Sequence, residues 1–171
     1  IIVHGLAKAY SMTGWRIGFT AAPLPIAKAI SAIQSHSTSN PTSFAQSGAV
    51  QALDGPQDHI AEWMTEFSKR RAFAHEQLNA MPGITCVNAQ GAFYLFPNIS
   101  STGMKSAEFC ERLLSEAKVA AVPGVAFGSD DYLRISYATS MGNLEKALER
   151  LREFVQKVES EKYNPPSPFD F

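Results

Sequence analysis

The sequence predicts an α/β fold that closes in a separate α+β unit, and three observations carry the prediction. Short apolar runs alternate with segments of helical periodicity over residues 1–56. From Gln57 to about Met81 the helical pattern is unbroken. Beyond Pro82 and Gly83 the texture changes to short strand-like runs set among amphipathic helices, the pattern of an α+β unit with its own core.

The elements follow in order. Ile1 to Val3 and residues 17–21 are apolar runs around a loop containing Gly, Ser and Thr, so two strands of one sheet are expected there, the first of them buried. Ile26, Ile30 and Ile33 then recur at helical spacing after Pro23 and Pro25, and the polar run SHSTSNPTS, Ser35 to Ser43, ends that helix. A second helix is expected over Phe44 to Leu53, stopped by Asp54, Gly55 and Pro56. The long segment that follows puts Ile60, Met64, Phe67, Ala74 and Leu78 on one stripe. Strands are then expected over Ile84 to Val87, Ala92 to Phe96, Val119 to Val122 and Tyr132 to Tyr137. Between the second and third of these lies an amphipathic helix with Phe109, Cys110, Leu113 and Leu114. A closing helix aligns Leu144, Leu148, Leu151, Val155 and Val158. The tail from Lys162, with NPPSPFDF, is expected to be loosely held.

With 171 residues, 45% of them hydrophobic, the chain can bury a core of one ordinary or two small domains. A formal net charge of -1 with mixed signs gives no reason to expect nucleic acid or an anionic membrane as partner. No apolar run approaches the length of a membrane span, and a cytoplasmic protein is expected. Cys86 and Cys110 lack metal-ligand spacing and read as buried free thiols. The four histidines share no spacing, and no metal site is expected. The sequence opens on Ile1 inside an apolar run without Met, so a preceding segment is expected.

The chemistry concentrates in AKAYSMTGWRIGF, residues 7–19, which puts Lys8 and Arg16 in the loop between the first two strands, with Gly14 and Gly18 allowing tight backbone geometry. A lysine attacks an aldehyde only as the free amine, a minor species at neutral pH for an ordinary pKa of about 10.4. Burial and nearby cations enlarge that fraction. An arginine offers a fork of donors matching a phosphate, so the pair could hold a phosphorylated aldehyde at both ends. Alone, such a pair is more often two solvated surface charges.

The wording of the segment goes further. AKAYSMTGWRIGF closely resembles the signature of class I aminotransferases of the aspartate aminotransferase fold. The resemblance continues through STSNPTSFAQ, GAFYLFPN, VAAVPGVAFG and LRISYATS, to about Val158. It implies the C-terminal part of a fold type I pyridoxal-phosphate-dependent transferase. Residues 1–56 would end the large cofactor-binding domain, 57–81 form the interdomain helix, 82–161 the small domain and 162–171 the tail. It further implies pyridoxal 5'-phosphate as cofactor, a Schiff base on Lys8, proton transfer by the same lysine, and a cofactor phosphate held by Arg16. Arg134 aligns with the arginine that grips the substrate α-carboxylate, a task suited to a bidentate fork. Asn40 and Pro41 fall in a segment resembling the subunit-interface loop, and Gly91, Ala92 and Phe93 resemble the stretch lining the substrate entrance. Bland readings stand beside these: a Pro-containing turn for the first, an apolar strand packed in the core for the second. Trp15 and Tyr10 read as packing residues.

The family commonly carries serines where this chain has Gly5 and Ala7, which leaves the phosphate to loop amides, Arg16 and residues elsewhere. The family's glycine-rich loop, stacked aromatic ring, pyridine-binding Asp and its Asn and Tyr lie upstream of the lysine, so the 171 residues alone are expected to lack transaminase activity. The expected function is amino transfer between an amino acid, aspartate or a related dicarboxylic or aromatic one, and a 2-oxo acid, in a homodimer. A lyase on the same scaffold and an inactive remnant are the competing readings.

Overall fold

The structure, a computed structural model, describes residues 1–163, and it divides into two compact units, Ile1–Met64 and Thr65 onward. The division falls inside a single helix. The tail expected beyond 163 lies outside the described residues.

In the first unit, strands β1 (Ile2–Gly5) and β2 (Gly18–Ala21) form an antiparallel ladder that pairs Ile2 with Ala21 and Gly5 with Gly18. Gly18 is required at that closing pair, because a Cβ there would sit 2.8 Å from the carbonyl oxygen of His4. Helix α1 (Leu24–Ser37) follows, with Pro25 in its first turn, where the missing N–H costs nothing. Helix α2 (Ser43–Asp54) stops at Gly55, whose N–H donates to Gln51 O at 2.9 Å. Only Leu6, Met12 and Ala45 are buried in this unit. The strand expected to be buried is open: Ile1, Ile2 and Val3 are 76%, 61% and 78% exposed. Apolar content alone made it read as buried, and among the described residues no element packs over it to that depth.

Helix α3 (Asp58–Asn79) carries the chain across the division. Of its apolar stripe, Ala74 and Leu78 are fully buried, Phe67 is half-buried and Met64 is exposed, so the stripe meets a core only at its C-terminal end.

The second unit is built on a three-stranded antiparallel sheet of order β3-β5-β4, from β3 (Tyr94–Leu95), β4 (Val122–Pro123) and β5 (Leu133–Ser136). Helices α4 (Ser106–Ala117) and α5 (Met141–Tyr163) complete its core. The closing helix buries all five residues of its predicted stripe, and Phe109 of α4 meets Phe154 of α5 edge to face at 5.1 Å. Leu114, expected on the buried face of α4, is 54% exposed. Both cysteines are free and buried.

The strand expected over Ile84 to Val87 is absent; the segment makes one isolated bridge, Thr85 to Asn98. Side chains supply the hydrogen bonds a partner strand would have given. Asn79 accepts from the Cys86 N–H and donates to its carbonyl, each at 3.0 Å, and the His75 ring meets the same carbonyl at 3.0 Å.

Candidate active site

The loop carrying Lys8 grows from the closed end of the β1–β2 ladder. Leu6 N–H donates to Ile17 O at 3.4 Å, continuing the pairing one step past Gly5 and Gly18. Lys8 therefore follows the last residue of β1 by three positions and Arg16 precedes the first of β2 by two, on one side of one ladder. The turn is tight: Tyr10 N–H reaches Leu6 O and Ser11 N–H reaches Lys8 O, while Ser11 and Arg16 adopt positive φ of 54° and 53°. Each non-glycine residue there carries a conformational cost of about 1 kcal/mol.

Two aromatic residues pin this loop. The Trp15 ring packs on α2 beside Phe44, at 5.9 Å between centroids, over Gly48. A Cβ on Gly48 would lie 2.6 Å from the Trp15 ring, so that glycine makes the seat. Tyr10 donates its hydroxyl proton to Gln57 Oε1 at 3.0 Å, and Gln57 in turn donates to the carbonyls of Ala52 and Gly55. Both rings act in packing and positioning, as their sequence setting suggested. Gly14, by contrast, has open space where a Cβ would go.

Arg16 is exposed and donates from Nη1 to its neighbour's carbonyl, Thr13 O, at 2.9 Å. That bond sets the guanidinium against the loop and engages one of its five donors. Lys8 is exposed on the same loop. A Cβ at Gly5 would meet only ordinary contacts, Ile17 O at 3.6 Å, so the missing hydroxyl there is not imposed by crowding. A hollow of about 280 Å³ at the base of the loop is lined by Leu6, Ile17, Phe19, Pro41 and Leu53 among others and has no ionisable side chain in its wall. Asn40 is exposed beside Ser39, which takes a positive φ of 63°.

In the second unit, Arg134 lies on the central strand β5, opposite Val122 of β4. It is half-buried, and among the described residues no hydrogen-bond or ion-pair partner faces its guanidinium. Its Cζ instead lies 4.3 Å from the Tyr94 ring centroid and 4.7 Å from that of Phe127. Phe93 is half-buried against Phe67, with centroids 6.3 Å apart, and the preceding Ala92 is held at φ 57° by a 2.9 Å hydrogen bond from the Tyr137 hydroxyl to its carbonyl. Sequence reasoning missed Tyr94 and Phe127. Alternation in GAFYLF puts Tyr94 and Phe96 on one sheet face, a signal that could have flagged the first.

The pattern of the family described as aminotransferase class I and II matches residues 1–151. The chain belongs to that family. Among curated aminotransferases, it is 47% identical over 161 residues to aspartate aminotransferase of Geobacillus stearothermophilus, a match covering 91% of this chain and 41% of that protein. It is 49% identical over 160 residues to the probable aspartate/prephenate aminotransferase of Rickettsia prowazekii, covering 88% of this chain and 40% of the relative. In three dimensions it matches the crystal structure of the aspartate aminotransferase from Rhizobium meliloti with TM-score 0.85 and 42% identity, over 90% of this chain and 41% of the other. The aromatic aminotransferase from Pyrococcus horikoshii OT3 aligns with TM-score 0.87 and 40% identity, over 92% and 43%. The chain spans about two fifths of the length of these aminotransferases and has the fold of their C-terminal portion.

Proposed function

We propose that this chain supplies the lysine and two arginines of an aminotransferase that uses pyridoxal 5'-phosphate to move an amino group between an amino acid and a 2-oxo acid. The observation that carries the reading is the loop itself: AKAYSMTGWRIGF sets an amine and a guanidinium on one side of one ladder, in a chain of the aminotransferase family. The donor set fits the cofactor. Lys8 offers a primary amine for an aldehyde, and Arg16 keeps donors beyond its bond to Thr13 for a phosphate.

When bound, the cofactor withdraws electrons from the substrate's α-carbon, which makes the proton on that carbon acidic. Lys8 would hold the cofactor through Nζ and, when that amine is free, would carry the α-carbon proton on the same nitrogen. Arg16 would hold the phosphate end of the cofactor. Arg134 pairs with the substrate α-carboxylate, which answers the donors of its half-buried guanidinium that find no partner among the described residues. Aspartate or a related dicarboxylic or aromatic amino acid is the substrate favoured by the relatives' names. A homodimer is the assembly proposed, with Asn40 and Pro41 near the subunit interface and Phe93 near the substrate entrance.

Since the chain covers 41% of the first of these relatives, the activity is proposed for the whole protein that carries it, and the 171 residues alone are expected to turn over nothing. The test is optical and chemical. The cofactor-loaded protein is expected to show visible absorbance that borohydride abolishes, leaving a mass label on Lys8, and to convert a 2-oxo acid only with an amino donor. Label on another residue, or 2-oxo acid release without an acceptor, would overturn it.

A further inference from the structure

The two rings around Arg134 have no task in the reading above. Tyr94 stands on β3 opposite Ser136, so it reaches Arg134 diagonally across the sheet, where long aromatic side chains can touch. Phe127 comes from the turn after β4, a 3-10 segment Gly124–Phe127, and is 49% exposed. A half-exposed phenylalanine contributes little to a core, yet this one is held in place at several points. Gly124 N–H donates to Tyr132 O at 2.9 Å, Ser129 N–H donates to Gly124 O at 3.0 Å, and Val125 N–H donates to the buried Ser106 hydroxyl at 3.2 Å. The Phe127 ring also stands edge-on to Phe96 at 6.0 Å, and Phe96 stacks flat on Tyr132 at 5.0 Å. A Cβ on Gly124 would fall 2.2 Å from Ser129 O and 2.3 Å from Tyr132 O, so the turn admits no side chain there.

We infer that Tyr94 and Phe127 are positioning residues for carboxylate recognition, holding the Arg134 guanidinium in place without drawing on its hydrogen-bond donors. The inference rests on the proposed role of Arg134. Its physical basis is the choice of partner. A carboxylate neighbour would hold the guanidinium equally well but would occupy the N–H groups a substrate needs. A ring face attracts the cation through its quadrupole, asks for no donor, and shields one part of the charge from water. The five donors then remain available to an incoming carboxylate, and less side-chain freedom is lost when it binds.

The experiment uses the cofactor-loaded enzyme that carries this chain, with Phe127→Leu and Tyr94→Leu, which keep apolar bulk and remove the ring. Each is expected to raise KM for both the amino acid and the 2-oxo acid roughly tenfold, the size of a partly shielded cation–π contact, with kcat within about twofold. Phe127→Tyr and Tyr94→Phe, which keep the ring, are expected to bring KM back to within about twofold. A merely structural contribution is separated by a double-mutant cycle: in the Arg134→Gln background, Phe127→Leu is expected to add no further rise in KM. Leu variants that leave KM unchanged while Arg134→Gln raises it would overturn the inference and leave the role of Arg134 standing. If Arg134→Gln itself leaves KM unchanged, the role of Arg134 falls, and the rings' role with it. Additive effects in the cycle would also overturn the inference.

Discussion

Glycines and left-handed residues show most directly how single positions set this molecule's local geometry. Gly124 is enclosed by backbone oxygens on two sides, which cannot swing away as a side chain could. Gly124→Ala is therefore expected to cost about 3 kcal/mol of stability, at the upper end for overpacking, read as a fall in the denaturant midpoint without a change of slope. Tyr137 is the opposite case, a polar tip serving a strained neighbour. Its hydroxyl, whose pKa burial pushes up, holds the carbonyl of Ala92 in its left-handed conformation. Tyr137→Phe is expected to cost about 1 kcal/mol, and Ala92→Gly to regain a similar amount in the same denaturation assay. Neither position was legible in the sequence, because a positive φ at an alanine leaves no compositional trace. The roles proposed for Lys8, Arg16 and Arg134 rest on words of a family signature, whereas the rings near Arg134 depend on strand register and on a turn from another part of the chain.

Among the elements, α4 illustrates how a helix end is secured from a distance. The Asp130 carboxylate accepts from both the N–H and the hydroxyl of Ser106, at 3.0 and 2.7 Å, and these bonds hold its pKa below the usual carboxylate range. Acid at a helix N-terminus also suits the helix dipole. Ser106 is fully buried and its hydroxyl also accepts from the Val125 N–H, so Ser106→Ala removes two hydrogen bonds at once, one to Asp130 and one from Val125. A loss of about 1–3 kcal/mol is expected by chemical denaturation. The far end of α4 is tied to α5 by ions: Arg112 pairs with Glu116 at 2.6 Å and Glu161 at 2.9 Å, and Lys157 pairs with Glu116 at 2.8 Å. Hydrogen bonds from Arg112 first and Lys157 second pull the Glu116 pKa from 4.5 down to about 2. A carboxylate with a depressed folded pKa adds stability that is complete above its unfolded value and is lost as the pH falls through the folded one. Glu116→Gln is thus expected to flatten the acid limb of the melting-temperature profile between pH 4.5 and about 2. An unchanged limb would refute the assignment. Helices such as α5 were legible because five residues at helical spacing all reach the core. The strands were legible in place but not in extent: β3 and β4 are two residues each within or at the end of longer expected runs, too short for alternation to set their bounds, and at residues 84–87 Asn79 and His75 replace the partner a strand would have had.

Across the whole molecule, burial is uneven between the two units. The large core runs from Ala74 to Val158, all of it in the second unit, while three residues are buried in the first. Hydrogen exchange on the 171-residue chain is expected to be slowest in the buried turns of α4 and α5 and faster in α1, which buries no residue. Equal protection throughout would contradict it. The division falls within the 57–81 segment, but its exact position could not be read from periodicity, because α3 is continuous through it.

Trp15, seated on Gly48, and Trp63, edge-on to His59 at 4.9 Å, are the chain's two tryptophans, and both belong to the first unit. Emission excited at the indole band therefore watches one unit only, whereas far-ultraviolet ellipticity draws on helices of both. Two optical signals recorded on one sample become a built-in test of cooperativity: superimposed curves mean that the units melt as one, and an emission change that leads the ellipticity means that the unit holding Lys8 lets go first.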